Sequence, residues 1–99
     1  MLKEYENAVS MVGVIHDTYK IDIASDDRDR VTSDIRKMFC SYIYSSTRMT
    51  MQNIAEVLNK SVGSISYYLQ SHESEYKTNK AYADRYVSFI STTQESVEI

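Results

Sequence analysis

The fold is decided by one stretch of the chain, TMQNIAEVLNKSVGSISYYL, which runs from Thr50 to Leu69. Its apolar residues recur at helical spacing on both sides of Asn59, a residue type that suits the left-handed conformation in which many helices end. Thr50 and Ser61 are residue types that cap the N-termini of helices, so each is predicted to open one helix. A helix of barely two turns, a short turn and a second helix are typical of a helix-turn-helix.

Two helices that cross steeply over a short turn need a small residue at their contact, and Ala55 has the right position. Ile54, Leu58 and Ile65 are predicted to hold the two helices together. If Ile65 and Leu69 face inward, the start of the second helix turns small polar groups outward, where recognition helices meet base edges. The outward residues are Ser61, Gly63, Ser64, Ser66, Tyr67 and Gln70. The alternative is a helical hairpin that packs only for its own sake.

The rest of the chain also has the apolar period of helices, about 3.6 residues, and no stretch alternates cleanly over the length of a strand. The pattern predicts a first helix over residues 4–19 and a loop over 20–29. Thr32 or Ser33 is then predicted to cap a helix that ends in residues 45–47. After a break at 78–79, a last helix is predicted over about residues 80–91. We therefore predict an all-α domain of about five helices that spans residues 1–91, followed by a disordered tail over 92–99.

Composition narrows the class of protein. A chain of 99 residues suffices for one packed domain, and its single cysteine, Cys40, excludes an internal disulfide and a cysteine-based metal site. The sequence has no run of about 18 apolar residues for a membrane span, and no phosphate-binding, nucleophile-elbow or zinc-protease spacing. His16 and His72 lie far apart in sequence and are expected at the surface or its boundary. We expect a cytoplasmic protein that is not an enzyme and has no metal, cofactor, small-molecule substrate or membrane contact.

The distribution of charge distinguishes two kinds of partner. The chain has a net charge of −3. Residues 38–72 have a net charge of +1, because Arg48 and Lys60 outweigh Glu56. This polarity suits DNA on one face of the domain, with weak and strongly salt-dependent nonspecific affinity. The acidic flanks would instead suit a protein partner.

Over about residues 12–90 the chain resembles the C-terminal DNA-binding domain of the bacterial replication initiator DnaA. The matching features are, in chain order, a first helix that ends in Tyr19-Lys20-Ile21, a loop with Arg28 and Arg30, Arg36 early in a long helix, Thr47, and Ile54-Ala55. The resemblance implies this type of helix-turn-helix fold, which is also similar to that of the Trp repressor, in a stand-alone form without the family's ATPase module. In that family the arginine matching Arg28 enters the minor groove, while residues matching Arg30, Thr47 and their neighbours touch the DNA backbone.

The turn between the two helices departs from the family's pattern. DnaA reads its box with Gly-Gly-Arg-Asp-His-[Ser/Thr]-Thr-Val, whereas this chain has Asn-Lys-Ser-Val-Gly-Ser-Ile at residues 59–65. The segment is one residue shorter and lacks the Asp-His pair. We therefore expect a different target sequence.

The loop that carries Arg28 and Arg30 has an alternative interpretation. The two arginines lie among Asp26, Asp27 and Asp29, so the local charge is negative. Phosphates are not attracted to such a segment unless it rearranges. A solvated loop is therefore the alternative to a loop that contacts DNA.

The sequence thus predicts a double-stranded DNA-binding protein with a helix-turn-helix, a small regulator of transcription or replication of the kind that phages and mobile elements encode. We expect Tyr68 in the core and Tyr67 at a groove or a phosphate. The candidate DNA-binding residues are Arg28, Arg30, Arg36, Thr47, Arg48, Thr50, Lys60, Ser61, Gly63, Ser64, Ser66, Tyr67 and Gln70. The alternative function is an acidic helical adaptor that binds a protein partner through the same fold.

Overall fold

The computed structural model describes residues 2–96 of the chain. These residues form five helices: α1 (Leu2–Tyr19), α2 (Arg30–Ser46), α3 (Met51–Leu58), α4 (Val62–Thr78) and α5 (Lys80–Ser96). The described part of the chain contains no strand, so the predicted all-α class with five helices is confirmed. None of the helices described is long and apolar enough to cross a membrane.

Three residues with local signals set the bounds of α3 and α4, as the sequence predicts. The Thr50 hydroxyl accepts a hydrogen bond from the Asn53 backbone N–H at 3.1 Å, and the Asn53 side chain accepts one from the Thr50 N–H at 3.2 Å, which completes a capping box. Asn59 has φ 54° and ψ 48°, the left-handed conformation that ends α3. Ser61 caps α4 by accepting from the Ser64 N–H at 3.1 Å.

The start of α2 differs from the prediction. The helix begins at Arg30 because Asp29 caps it, with its carboxylate accepting from the Thr32 N–H at 3.1 Å. This hydrogen bond holds the pKa of Asp29 below its usual range. The expectation that Thr32 or Ser33 caps the helix is therefore wrong, and Thr32 lies buried in the first turn instead.

The end of α5 also differs from the prediction. Asn79 is the single residue between α4 and α5, where the sequence predicts a break. From there α5 continues to Ser96, so residues 92–96 are helical and do not belong to a disordered tail. Thr93 is buried in this last part, and its hydroxyl donates to the carbonyl one turn earlier at 2.8 Å, which satisfies a polar group that the core covers. Residues 97–99, the rest of the expected tail, lie outside the described residues.

The core forms where α4 packs against α2, α3 and α5. Its buried apolar residues are Ala8, Met11, Ile15, Ile23, Ile35, Met38, Phe39, Cys40, Tyr42, Ile43, Met49, Ile54, Ala55, Leu58, Ile65, Tyr82 and Phe89. Ala55 is buried together with Ile54 and Ile65, as predicted for the contact between α3 and α4. Burial raises the pKa of the Cys40 thiol to about 12, so this cysteine is an inert core side chain. Ile23 is fully buried, which fixes the loop over residues 20–29 on the core.

Candidate nucleic-acid interface

An open groove of about 730 Å³ lies beside the first turns of α4, and we call it the α4 groove. Four parts of the chain contribute to its lining: the loop over residues 20–29, α2, the turn between α3 and α4, and α4 itself. The lining residues are Asp26, Arg28, Ser33, Arg36, Lys60, Ser61, Gly63, Ser64, Tyr67 and Tyr68. Seven of the thirteen candidate DNA-binding residues line it, namely Arg28, Arg36, Lys60, Ser61, Gly63, Ser64 and Tyr67. The α4 groove is therefore the place where the fold brings most of the candidates together.

The first turn of α4 contributes small polar residues to the α4 groove. The hydroxyl oxygens of Ser61 and Ser64 lie 3.0 Å apart, and Ser61 caps the helix. Gly63 is exposed, and a Cβ placed on it would meet the Ser61 hydroxyl at 3.8 Å, an ordinary contact. Its φ is not positive, so neither space nor backbone conformation requires a glycine there. Because Gly63 has no side chain, the start of α4 leaves its backbone accessible at this position.

Two adjacent tyrosines continue the α4 groove along the helix. Tyr67 is 62% exposed, and its ring centroid lies 5.9 Å from that of Tyr68 in an edge-on arrangement. Tyr68 is half-buried against the core, and the Arg36 guanidinium lies 5.9 Å from the centroid of its ring. The sequence predicts this division between an inner and an outer tyrosine. Outside the groove on the same helix, the Gln70 side chain donates to the Ser66 hydroxyl at 3.3 Å.

The structure does not bring six of the candidates into the α4 groove, which are Arg30, Thr47, Arg48, Thr50, Ser66 and Gln70. Arg30 is exposed at the start of α2, where its guanidinium lies 3.9 Å from the Asp34 carboxylate. Thr47 follows α2, and its hydroxyl donates to a carbonyl one turn back at 2.7 Å. The backbone N–H of Arg48 donates to the Glu4 carboxylate at 3.3 Å, on the side of α1. A direct role of these residues in binding stays a prediction.

Arg36 has a different environment from the one expected of a DNA contact. It is only 3% exposed, and its guanidinium donates to the backbone carbonyls of Ile23 at 2.8 Å, Ser25 at 3.0 Å and Asp27 at 3.1 Å. Backbone carbonyls in a loop lack the N–H partners that a helix provides, so they need other donors. The guanidinium of an arginine supplies several donors in fixed directions. The Nε and one terminal nitrogen of Arg36 are thus bonded within the chain, and a direct role of Arg36 in DNA binding stays a prediction.

Lys60 is also bonded within the chain. Its side chain is only 11% exposed, and its ammonium donates to the Ser25 carbonyl at 2.6 Å and to the Asp26 carboxylate at 2.9 Å. The hydrogen bond and the charge of Lys60 hold the pKa of Asp26 below its usual range. The exposed Asp26 carboxylate therefore competes with a phosphate for this ammonium. Among the three cations that line the α4 groove, Arg28 is the exposed one.

Three residues of the α4 groove are absent from the candidates that the sequence supplies: Asp26, Ser33 and Tyr68. Asp26 has a partial signal, because it lies two residues before Arg28 in a loop with four aspartates. Its contact with Lys60 spans 34 residues of sequence and leaves no local pattern. Only the folded chain therefore shows that Asp26 competes with a phosphate for Lys60.

His72 is buried, whereas the sequence predicts a surface or boundary histidine. Its Nδ1 lies 2.7 Å from the Tyr82 hydroxyl, and its ring packs against the rings of Tyr76, Tyr82 and Tyr86. Burial lowers the pKa of His72, so the ring is neutral near pH 7. In the part of the chain that the structure describes, no group of His, Cys, Asp and Glu side chains could hold a metal ion.

Comparison with known proteins identifies no relative of this chain, because no protein-family model, no curated protein and no solved structure matches it. The likeness to the DnaA domain therefore stays an expectation drawn from the residues. The candidate interface is supported by its own geometry.

Proposed function

We propose that this protein binds double-stranded DNA and that α4 is its recognition helix. The observation that carries this proposal is the arrangement of α3 and α4, which are joined by a capped turn over residues 59–61 and leave the first turn of α4 open beside the α4 groove. In helix-turn-helix proteins the second helix enters the major groove with its N-terminal residues toward the base edges. The exposed side of α4 is the surface that would make this contact.

The chemistry of the first turn of α4 supports the same proposal. Gly63 presents no side chain, and the hydroxyls of Ser61 and Ser64 are short groups that can donate to or accept from base edges and phosphates. The unpaired N–H groups and the dipole at the start of a helix favour a nearby phosphate. Tyr67, one turn further along, adds an exposed ring and hydroxyl.

The charges of the α4 groove favour an affinity for DNA that depends on salt. For DNA without the target sequence, this affinity should be modest. Arg28 is exposed, whereas Lys60 is paired with Asp26, and the whole chain has a net charge of −3. Such a surface neutralises few phosphates and repels DNA elsewhere. Contacts to base edges would then contribute a large share of the specific affinity.

The likeness of residues 12–90 to the DnaA domain favours the same class of partner. Because residues 59–65 differ from the segment with which DnaA reads its box, we propose another target sequence. A single domain of this type would act in transcription or replication by occupying its site on DNA. The alternative function is an acidic helical adaptor for a protein partner, and the experiment below would favour it if DNA binding did not depend on α4.

The experiment selects a duplex from a random library with the parent protein and titrates it with Ser64→Glu at low and moderate salt. A carboxylate at this position would face phosphates, and such a juxtaposition of like charges costs several kcal/mol, so we expect affinity to fall by about a hundredfold or more. Ser10→Glu is the matched control, because Ser10 is exposed on α1 outside the α4 groove. The control should bind nearly like the parent.

The fold is expected to survive Ser64→Glu. Ser61 is the cap of α4 and Ser64 the third helical residue, so a glutamate there completes the Ser-x-x-Glu pattern of a capping box. Melting should therefore show a protein at least as stable as the parent. A stable variant that binds the selected duplex as well as Ser10→Glu does would show that α4 does not face DNA, and would favour a protein partner.

A further inference from the structure

The loop over residues 20–29 is held to the domain from two sides. From α2, Arg36 donates to three carbonyls of the loop, among them that of Ser25 at 3.0 Å. From the turn between α3 and α4, Lys60 donates to the same Ser25 carbonyl at 2.6 Å. Two cations from different elements therefore share one acceptor in the middle of the loop.

Of the two, Arg36 makes the contacts that fix the shape of the loop. Its Nε bonds Ile23, while one terminal nitrogen bonds both Ser25 and Asp27. Only a planar guanidinium offers several donors in fixed directions, whereas a lysine ammonium is a point charge. The same guanidinium packs against the ring of Tyr68 on α4. Arg36 thus connects the loop with the recognition helix of the proposed function.

We propose that Arg36 is a positioning residue, which holds the loop so that Arg28 and the first turn of α4 face the same duplex. This inference rests on the proposed function. Arg28 follows Asp27, whose carbonyl Arg36 bonds at 3.1 Å, and Arg28 lines the α4 groove together with Gly63. A buried cation that is bonded to the loop thereby determines where an exposed cation lies.

A double-mutant cycle with Arg28→Ala and Arg36→Lys tests the proposal. Lysine keeps the charge of Arg36 but cannot bond three carbonyls at once. Titration of the selected duplex should show a loss of about tenfold for each single variant and no further loss in the double variant. The slope of log affinity against log salt should fall by the same amount in both single variants, about one unit. Losses that multiply in the double variant would overturn the proposal.

A second measurement is made without DNA and separates this inference from the proposed function. The amide groups of Ala24, Ser25 and Asp27 are bonded within the loop, so their exchange rates report its order. We expect faster exchange in Arg36→Lys and parental rates in Arg28→Ala. Parental rates in Arg36→Lys would show that Arg36 does not order the loop. A parent that selects no duplex refutes the proposed function and the positioning role together, whereas multiplying losses refute the positioning role alone.

A second variant keeps the test decisive if Arg36→Lys melts too low for titration. The exposed Asp22 accepts from the Ala24 N–H at 3.0 Å, so Asp22→Ala loosens the loop without disturbing the core. Asp17→Ala, an exposed change of the same charge at the end of α1, is its control. Relative to this control, Asp22→Ala should weaken binding in the parent and have no effect when Arg28 is already alanine. The same loss in both backgrounds would contradict the positioning role.

Discussion

The ammonium of Lys60 lies in the α4 groove with a carboxylate already bound, and this pairing limits its use for DNA. Asp26 holds it at 2.9 Å and is itself fully exposed, so a phosphate and Asp26 compete for the same positive charge. We expect Asp26→Asn to raise the affinity for the selected duplex severalfold at low salt, because the substitution removes both the competitor and a nearby negative charge. The gain, measured by titration, should shrink as salt screens the charges.

The control for this prediction is Asp17→Asn on α1. Asp17 is exposed and does not line the α4 groove, so its substitution changes the net charge of the chain without freeing a lysine. An equal gain in affinity for both variants would mean that only the overall charge matters. The competition between Asp26 and phosphate would then be refuted.

His72 makes stability depend on pH in a predictable direction. Burial lowers its pKa in the folded state, while neighbouring Glu73 opposes the shift and Lys37 adds to it. The unfolded chain therefore binds a proton more readily, with the ordinary histidine pKa of about 6.5. The free energy of unfolding should be greatest above about pH 6.5, fall as pH decreases through this value, and level off below the lowered folded pKa.

Thermal melting between about pH 7.5 and 5.5 measures this effect above the range in which Asp26 and Asp29, whose pKa values are lowered, take up protons. His72→Gln should be less stable at every pH, because it disturbs the contact with Tyr82, but its melting temperature should depend less on pH. His16→Gln changes the exposed histidine and should retain the parental dependence. Identical pH profiles for the parent and His72→Gln would assign the dependence to other groups.

At the scale of single residues, the sequence could predict where charged and small residues occur. It could not predict which atoms these residues bond. Arg28, Arg36 and Lys60 were all predicted as candidate DNA-binding residues, and all three line the α4 groove. The bonds of Arg36 span 9 to 13 residues and those of Lys60 span 34 and 35. No periodicity or motif reports such distances, so a buried cation and an exposed one look alike in the sequence.

At the scale of elements, the sequence predicted helix bounds wherever a single local signal decided them. Thr50, Asn59 and Ser61 act on groups within four residues of themselves, and all three have the predicted roles. The start of α2 was mistaken because Asp29 competes with two other good caps over five residues. The end of α5 was missed because the buried Thr93 continues the helix without an apolar pattern.

The start of α4 offers a test in which stability and DNA binding change in opposite directions. Gly63→Ala adds a methyl group that meets only the Ser61 hydroxyl, at 3.8 Å. Because glycine in a helix is less stable than alanine by roughly 0.5–1 kcal/mol, melting should show a more stable protein. The methyl group would also lie where base edges or phosphates approach, so the affinity for the selected duplex should decrease.

Gly13→Ala is a matched control for this substitution. Gly13 is an exposed helical glycine on α1, and a Cβ there would meet nothing within 4 Å. It should stabilise the fold by a similar amount and leave binding unchanged. If both variants bind DNA like the parent, the open helix start has no part in recognition.

At the scale of the whole molecule, α5 is attached to α2 by a buried carboxylate outside the α4 groove. Asp34 of α2 accepts from the Arg85 guanidinium of α5 at 3.2 Å, and the ammonium of Lys37 lies 3.9 Å away. Asp34 is almost fully buried, and so is most of the Lys37 side chain. The charges that attach α5 to α2 are thus separate from those that line the groove, so the stability that this attachment provides should be separable from binding by mutation.

Asp34→Ala tests this separation, with Asp84→Ala as the control. The first substitution leaves the largely buried Lys37 without its partner and removes a charged hydrogen bond to α5, a loss of about 1.5–3 kcal/mol, which corresponds to a decrease in melting temperature on the order of 10 °C. Asp84 is exposed and pairs with Lys80 at 3.3 Å, so its loss should lower the free energy of unfolding by less than about 1 kcal/mol. Both variants remove one negative charge outside the α4 groove, so below their melting temperatures they should bind the selected duplex equally well. A weaker affinity for Asp34→Ala alone would show that the attachment of α5 reaches the groove through α2 and α4, and that the molecule does not divide into a binding face and a supporting face.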